Sequence, residues 1–201
     1  MKKRLLISKL SFLSADVIPI SRNNLLDTIP TLYEEFDVSF ELYVNNAPAP
    51  NAKRTVIRLT NTNNNKGNYG DRLATIVASG DLTKVFFTSA AEGVNFHVTH
   101  TTASLPKSTW IAIRVQQAVI EDRFKLIYWF NGVAVRETLI DLPRVYNDTK
   151  VFVGDNFKAA LLGTIKNLRI STGTSFLLNL IGHIHQYQKV APIYHFILKK
   201  I

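Results

Sequence analysis

The chain contains no cysteine among its 201 residues, which excludes a disulfide framework and any thiolate-bound zinc or iron–sulfur centre. The redox compartment stays open, because secreted folds of this size can be cysteine-free. Long apolar runs are missing as well. The nearest, SFLLNLIGHIH from Ser175, is broken by Asn179, His183 and His185, short of the roughly 20 apolar residues that a membrane-spanning helix needs. Helical periodicity is scarce, which argues against a parallel sheet with intervening helices. Catalytic signatures are equally absent: there is no GxSxG elbow, no HExxH helix and no Walker loop. No Glu-x-Asp-x-Glu strand of the retaining-glucanase kind occurs, and the nearest acidic cluster, Glu34, Glu35 and Asp37, has the wrong spacing. No catalytic residue is therefore expected. Nor is there a nucleic-acid motif, or a Lys/Arg stripe interleaved with aromatics, so nucleic acid is not the expected partner.

The five histidines do not form a metal set. His97 and His100 are separated by an odd number of residues and would point to opposite faces of one strand. His183, His185 and His195 have no carboxylate after Thr172 to complete a site.

What the sequence does hold is positive charge and β-patterning. The formal net charge is +9, which favours contact with polyanions such as acidic glycans, an acidic matrix or an anionic lipid surface. Basic residues gather at the ends, in Lys2, Lys3, Arg4 and Lys9 and in Lys189, Lys199 and Lys200. The opening MKKRLLISKLSFLSADV has the positive start of a leader, but Lys9 splits its apolar run. It reads as a first strand, with a degenerate leader as the alternative.

The clearest period of two runs from Phe36 to Val44, where Phe36, Val38, Phe40, Leu42 and Val44 alternate with Asp37, Ser39, Glu41 and Tyr43. The two prolines of APAPNA stop that ladder, and RTVIRLT from Arg54 starts the next strand. Further strands are expected at Leu73–Ala78, Lys84–Thr88, Val94–Thr99, Trp110–Gln117, Phe124–Phe130, Val133–Ile140, Val151–Val153 and Leu162–Ile170. Asn131-Gly132 predicts a tight hairpin, because both central residues of a type I′ turn need positive φ. TNTNNNKGNYGDR between Thr60 and Arg72 is too rich in Asn and Gly for regular structure and reads as a polar loop. The whole predicts an all-β antiparallel sandwich over residues 1–172, followed by an apolar, basic extension over 173–201.

These residues resemble the concanavalin A-like lectin/glucanase superfamily, and within it the laminin G-like branch. The resemblance covers roughly Asp16 to Thr172. It is carried by LLDTIPTLYEEFDVSFELYVN, VIRLTNTNNNKGNYGDRLATI, STWIAIRVQQ, FKLIYWFNGVAV and VYNDTKVFVGDNFKAALLGTIKNLRIS. Gly163, Ile165, Asn167, Leu168 and Ile170 fit the closing GxIxNLxI pattern. The resemblance implies two sheets in jelly-roll order, with ligands at a loop-built rim or on the concave sheet, and in some members a rim calcium ion. It implies an extracellular recognition module with a glycan or protein partner.

Calcium takes hard oxygen ligands, so Asp71 and Asn65, completed by Asp155 of the GDN turn, are the candidate metal ligands. The other reading is that the asparagines and glycines satisfy turn geometry, with Asp71 beside Arg72 as a loop clamp. For a glycan, Tyr69 offers a stacking face beside Asn68, Asp71 and Asn156, with Phe157 as a second aromatic. Trp110 and Trp129 sit on strands that read as buried and are expected in the core. Asn147-Asp148-Thr149 is an N-glycosylation triplet expected in the loop before Lys150. The function expected is non-enzymatic binding. The competing reading is a structural role, in which the apolar, basic extension drives homo-oligomer assembly or coats an acidic matrix or membrane.

Overall fold

The computed structural model describes residues 3–45, 52–66, 68–89, 97–100 and 104–178, with 3–11, 97–100 and 174–178 described by their strand assignment alone. The chain divides into two units, Ser8–Thr174 and a second made of Met1–Ile7 with Ser175–Ile201. Of the second, only strand ends fall among the described residues. Most of the 173–201 extension, with His183, His185 and His195, lies outside them, as does the start of the strand expected from Val94.

Thirteen strands and no helix occur among the described residues. In chain order they are β1 Lys3–Ser14, β2 Ile18–Pro19, β3 Leu25–Leu32, β4 Glu35–Val44, β5 Arg54–Thr60, β6 Ala74–Ala78 and β7 Val85–Ser89. The remainder are β8 His97–His100, β9 Trp110–Ile120, β10 Arg123–Phe130, β11 Val133–Leu139, β12 Tyr146–Phe152 and β13 Gly163–Leu178. They form a seven-stranded sheet in the order β1-β13-β4-β9-β10-β11, with β2 beside β13, and a six-stranded sheet in the order β3-β12-β5-β6-β7-β8. The inter-strand registers are antiparallel, so the all-β sandwich expected from alternation is what forms.

Alternation places the core. Val38, Phe40, Leu42 and Val44 of β4 and Ile111, Ile113 and Val115 of β9 point inward, to a cluster with Ile57, Leu59, Ile76, Phe87 and Val151 of the other sheet. Leu42, Ile57, Leu59, Ile76 and Ile111 are fully buried, each contributing about 1.5–3 kcal/mol by leaving water. The odd positions of β4, Asp37 to Tyr43, are left on the outer face at intermediate exposure.

Turn chemistry fixes the registers. Asn131 (φ 48°) and Gly132 (φ 78°) both take positive φ, as the type I′ hairpin between β10 and β11 requires. The β9–β10 hairpin uses the same handedness at Glu121 (φ 52°) and Asp122 (φ 62°), a turn with no glycine to announce it. The glycosylation triplet is not in a loop: Asn147 is exposed on β12 and Thr149 is fully buried. Strand β12 begins at Tyr146 because it pairs with β3 from Tyr146↔Leu32 onward, a partner strand that the sequence does not reveal.

Candidate recognition site

The polar loop after β5 closes on itself. Asp71 is fully buried, and its Oδ2 accepts the backbone N–H groups of Lys66 (2.9 Å) and Asn68 (3.0 Å). Its Oδ1 accepts the Thr62 hydroxyl at 2.5 Å. The carboxylate is thus an internal clamp that satisfies backbone donors a loop would otherwise expose. Asn65 is engaged too: its Oδ1 accepts from Arg72 Nε (2.8 Å) and Nη2 (2.6 Å).

The register of β5 with β12, Phe152 opposite Arg58 and Val151 opposite Leu59, carries the GDN turn alongside the first half of β5. The two loops therefore meet, and Arg58 stands between them. Its guanidinium donates to Asp155 Oδ1 (3.2 Å), to the Asn64 carbonyl (2.6 Å) and to the Asp71 carbonyl (2.7 Å). Asp155, 1 % exposed, also accepts from Thr55 Oγ1 at 3.0 Å and Phe157 N at 2.9 Å. Burial lowers the Arg58 pKa, and the fields of Asp155 and Asp71 oppose that shift; an arginine so placed keeps its charge.

The expected calcium ligands Asp71, Asn65 and Asp155 are thus gathered into one region, but their oxygens already accept from protein donors. A divalent ion there would face the Arg58 and Arg72 guanidiniums at close range, which opposes metal binding. Among the described residues no three His, Asp or Glu side chains are grouped to hold a metal. The donor set does not fit calcium.

The aromatic of that loop is half-buried, and the Arg144 guanidinium lies 3.5 Å from the Tyr69 ring centroid. Asn68 is exposed and Asn156 half-buried. No hydrogen bond or ring contact joins Tyr69 to Asn156. Phe157 is 40 % exposed with Arg58 4.7 Å from its ring centroid.

A different surface collects aromatics. On β9 the inward Ile111, Ile113 and Val115 leave Trp110, Ala112, Arg114 and Gln116 on the outer face of the seven-stranded sheet. On β10 the inward Leu126, Tyr128 and Phe130 leave Lys125, Ile127 and Trp129 there. Both tryptophans are half-exposed rather than core residues. The same periodicity that located the strands carries this signal, read one residue out of phase.

Register sets the neighbours. Tyr43 of β4 is opposite Trp110, their ring centroids 5.2 Å apart. Arg114 is opposite both Ser39 and Trp129, its guanidinium 5.7 Å from the Trp129 ring centroid, and its Nε donates to Asp37 at 2.6 Å. Between Trp110 and Arg114 lies Ala112, exposed and too small to fill the space above it. Glu41, opposite Ala112, pairs with Lys166 at 3.3 Å and accepts from Asn167 Nδ2 at 2.6 Å. Asn167 reaches it from a left-handed conformation (φ 52°) at a bulge in β13. The Lys166 ammonium rests 4.1 Å from the Trp110 ring centroid. The result is a trough floored by Ala112, walled by aromatics and edged by Glu41, Asp37, Arg114 and Lys166.

No protein-family model and no curated protein matches this chain. Solved structures do match in shape. The CBM40 module of Ruminococcus gnavus IT-sialidase bound to α2,3-sialyllactose aligns with TM-score 0.53 at 9 % identity, over 78 % of this chain and 91 % of that one. A Caenorhabditis elegans galectin aligns with TM-score 0.43 at 8 % identity, over 81 % and 94 %. The botulinum neurotoxin type G receptor-binding domain aligns with TM-score 0.48 at 14 % identity over 82 % of this chain. The chain spans 42 % of that domain's length. Identities this low establish the fold and nothing finer: an antiparallel β-sandwich of jelly-roll type.

Proposed function

We propose that this chain is a non-enzymatic recognition module of laminin G-like type that binds a glycan on the outer face of its seven-stranded sheet. The observation that carries the reading is the exposed Ala112 lying between two outward tryptophans with ion-paired carboxylates at its edge. A sugar presents apolar C–H faces and a rim of hydroxyls. The first are matched by Trp110, Tyr43 and Trp129, and the second by Glu41, Asp37 and Arg114. Trp110 and Trp129 are offset by one strand and four residues, roughly 14 Å at strand geometry, a span suited to an oligosaccharide. In the rim loops first expected to bind ligand, the carboxylates of Asp71 and Asp155 and the amide oxygen of Asn65 are engaged in holding the loops together, which supports the sheet face over them. Calcium has no part in this reading, because Arg58 supplies the positive charge between the loops. The glycan-bound CBM40 structure supports a lectin-like reading by shape alone. A glycan partner suits an extracellular setting, which we include in the proposal.

Ligand stacking on Trp110 must displace the Lys166 ammonium, a contact worth about 0.5–1 kcal/mol at such a site. The test is an oligosaccharide panel followed by titration, read by tryptophan fluorescence. Wild type is expected to bind saturably. Ala112→Tyr, which fills the trough from an exposed position, is expected to abolish binding while the melting temperature holds. Undiminished binding by Ala112→Tyr refutes the site, and failure of every oligosaccharide refutes the function.

A further inference from the structure

Strand β12 carries a triplet that the glycan-binding reading leaves unused: Asn147, Asp148 and Thr149, the one Asn-x-Ser/Thr sequence in the chain and so its one potential acceptor of an N-linked sugar. In a regular strand, residues two apart share a face. Here they do not. Asn147 is exposed and Thr149 fully buried, because Asp148 between them takes a left-handed conformation (φ 51°), which aspartate tolerates better than most residues.

Neither functional side chain of the triplet has a task in the fold that demands its chemistry. Asn147 stands opposite Thr31 of β3, and the one side-chain hydrogen bond it forms among the described residues is accepted by Oδ1 from the Thr31 hydroxyl at 3.5 Å. Its Nδ2 donates to no described residue. Thr149 stands opposite Ile29, itself buried, and the Thr149 hydroxyl has no hydrogen-bond partner among the described residues. A hydroxyl so buried costs stability, and valine would fill nearly the same space without stranding one. Folding therefore gives no reason for threonine at this position. Acceptor chemistry does, because the triplet requires a hydroxyl-bearing residue two places after the asparagine.

We propose that Asn147 is an N-glycosylation site, read in the unfolded chain before Thr149 is buried. The inference rests on the extracellular setting included in the reading above. The donor is a lipid-linked oligosaccharide diphosphate. Nδ2 of Asn147 forms a bond to the anomeric carbon of the sugar, and the bond from that carbon to the phosphate oxygen breaks. The lipid diphosphate leaves with the electron pair, and the amide gives up one proton to a base of the transferase. The carbonyl oxygen that accepts from Thr31 is retained. The finished fold has room for the product, since a bulky, solubilising group belongs at an exposed position. It stands beside β3, the edge of the six-stranded sheet among the described residues, where it obstructs pairing with another chain. The tryptophan face lies on the other sheet and stays open.

The experiment is synthesis of the full chain, behind an added secretory leader, in the presence of microsomes that supply donor and transferase. Intact mass should show a single glycan that a peptide N-glycosidase removes. Asn147→Gln and Thr149→Val should abolish it, and Thr149→Ser should retain it. These outcomes do not depend on whether a variant folds, because the triplet is read beforehand. An unmodified wild type, or a glycan that persists in Asn147→Gln, overturns the proposal. Two further results test the structural argument. Thr149→Val made without microsomes should melt at or above wild type, and the glycosylated chain should melt as cooperatively as the bare one. A lower melting temperature for Thr149→Val, or a chain that folds only without its glycan, overturns it as well. Oligosaccharide titration of the glycosylated and enzymatically released forms should give equal affinities. Binding by neither form refutes the tryptophan trough while the mass result still decides Asn147; binding by the released form alone refutes the placement of the glycan away from that face.

Discussion

Replacing Arg58 by methionine isolates the idea that a guanidinium organises the two loops. Arg58 is fully buried and donates to one carboxylate and two carbonyls. Its loss strands a buried Asp155. Removing one partner of a buried pair costs about 3–5 kcal/mol, and the orphaned carbonyls of Asn64 and Asp71 place the loss toward the upper half of that range. At about 2–4 °C per kcal/mol for a chain of this size, Arg58→Met should melt roughly 8–20 °C below wild type by calorimetry at pH 7. Adding Asp155→Asn should recover part of the loss, a coupling of at least about 1 kcal/mol. A drop of under 2 °C, or restoration of Arg58→Met by millimolar calcium, would refute the reasoning, as would a chelator that lowers the wild-type melting temperature.

Two glycines separate backbone strain from steric exclusion. A Cβ at Gly132 (φ 78°) meets nothing within 4 Å, whereas one at Gly154 (φ 114°) falls 2.0 Å from the Ser21 carbonyl oxygen. Gly132→Ala should cost roughly 1 kcal/mol in urea unfolding and Gly154→Ala several times more; equal costs would contradict the turn assignment. Burial raises the Tyr128 pKa, and its hydroxyl has no partner among the described residues. Tyr128→Phe should thus be at least as stable as wild type in the same assay, and a loss above about 1 kcal/mol would reveal a hydrogen bond there. Asp81, exposed beside Ser79 and accepting from Thr83 N and Oγ1 at 3.1 and 2.8 Å, is pushed down to about 2. Its contribution is present above the unfolded pKa of about 3.9 and lost as pH falls through about 2. A carboxyl titration by NMR with a midpoint near the ordinary value would contradict those bonds.

Much of the sandwich was legible because one-sided burial imposes a period of two. Strand β4 alternates without a fault, and Asn131-Gly132 marks its hairpin by dipeptide alone. Strand β3 was hidden: LLDTIPTL contains Pro30, and its buried residues Ile29 and Leu32 are three apart. Proline is tolerated there because, among the described residues, β3 is the edge of its sheet and pairs with β12 alone. The Glu121-Asp122 turn was hidden for the opposite reason, since acidic residues replace the glycine that usually marks positive φ.

The sites follow the same division. That Asp71 and Asp155 approach one region could be suspected from the fold they resemble. That Arg58 lies between them could not, because a charged residue in mid-strand reads as solvent-facing until a partner 97 residues away is brought across by β12. Trp110 and Trp129 were misplaced in the core by residue type. Their phase relative to Ile111, Ile113 and Tyr128 already put them outside.

Amide shift mapping of the chain with a bound oligosaccharide tests the central claim most directly. The account predicts the largest shifts at Trp110, Ala112, Arg114 and Trp129, with the loop from Asn61 to Arg72 unmoved. Shifts centred on Asn68, Tyr69 and Asp71, with the β9–β10 face silent, would contradict it.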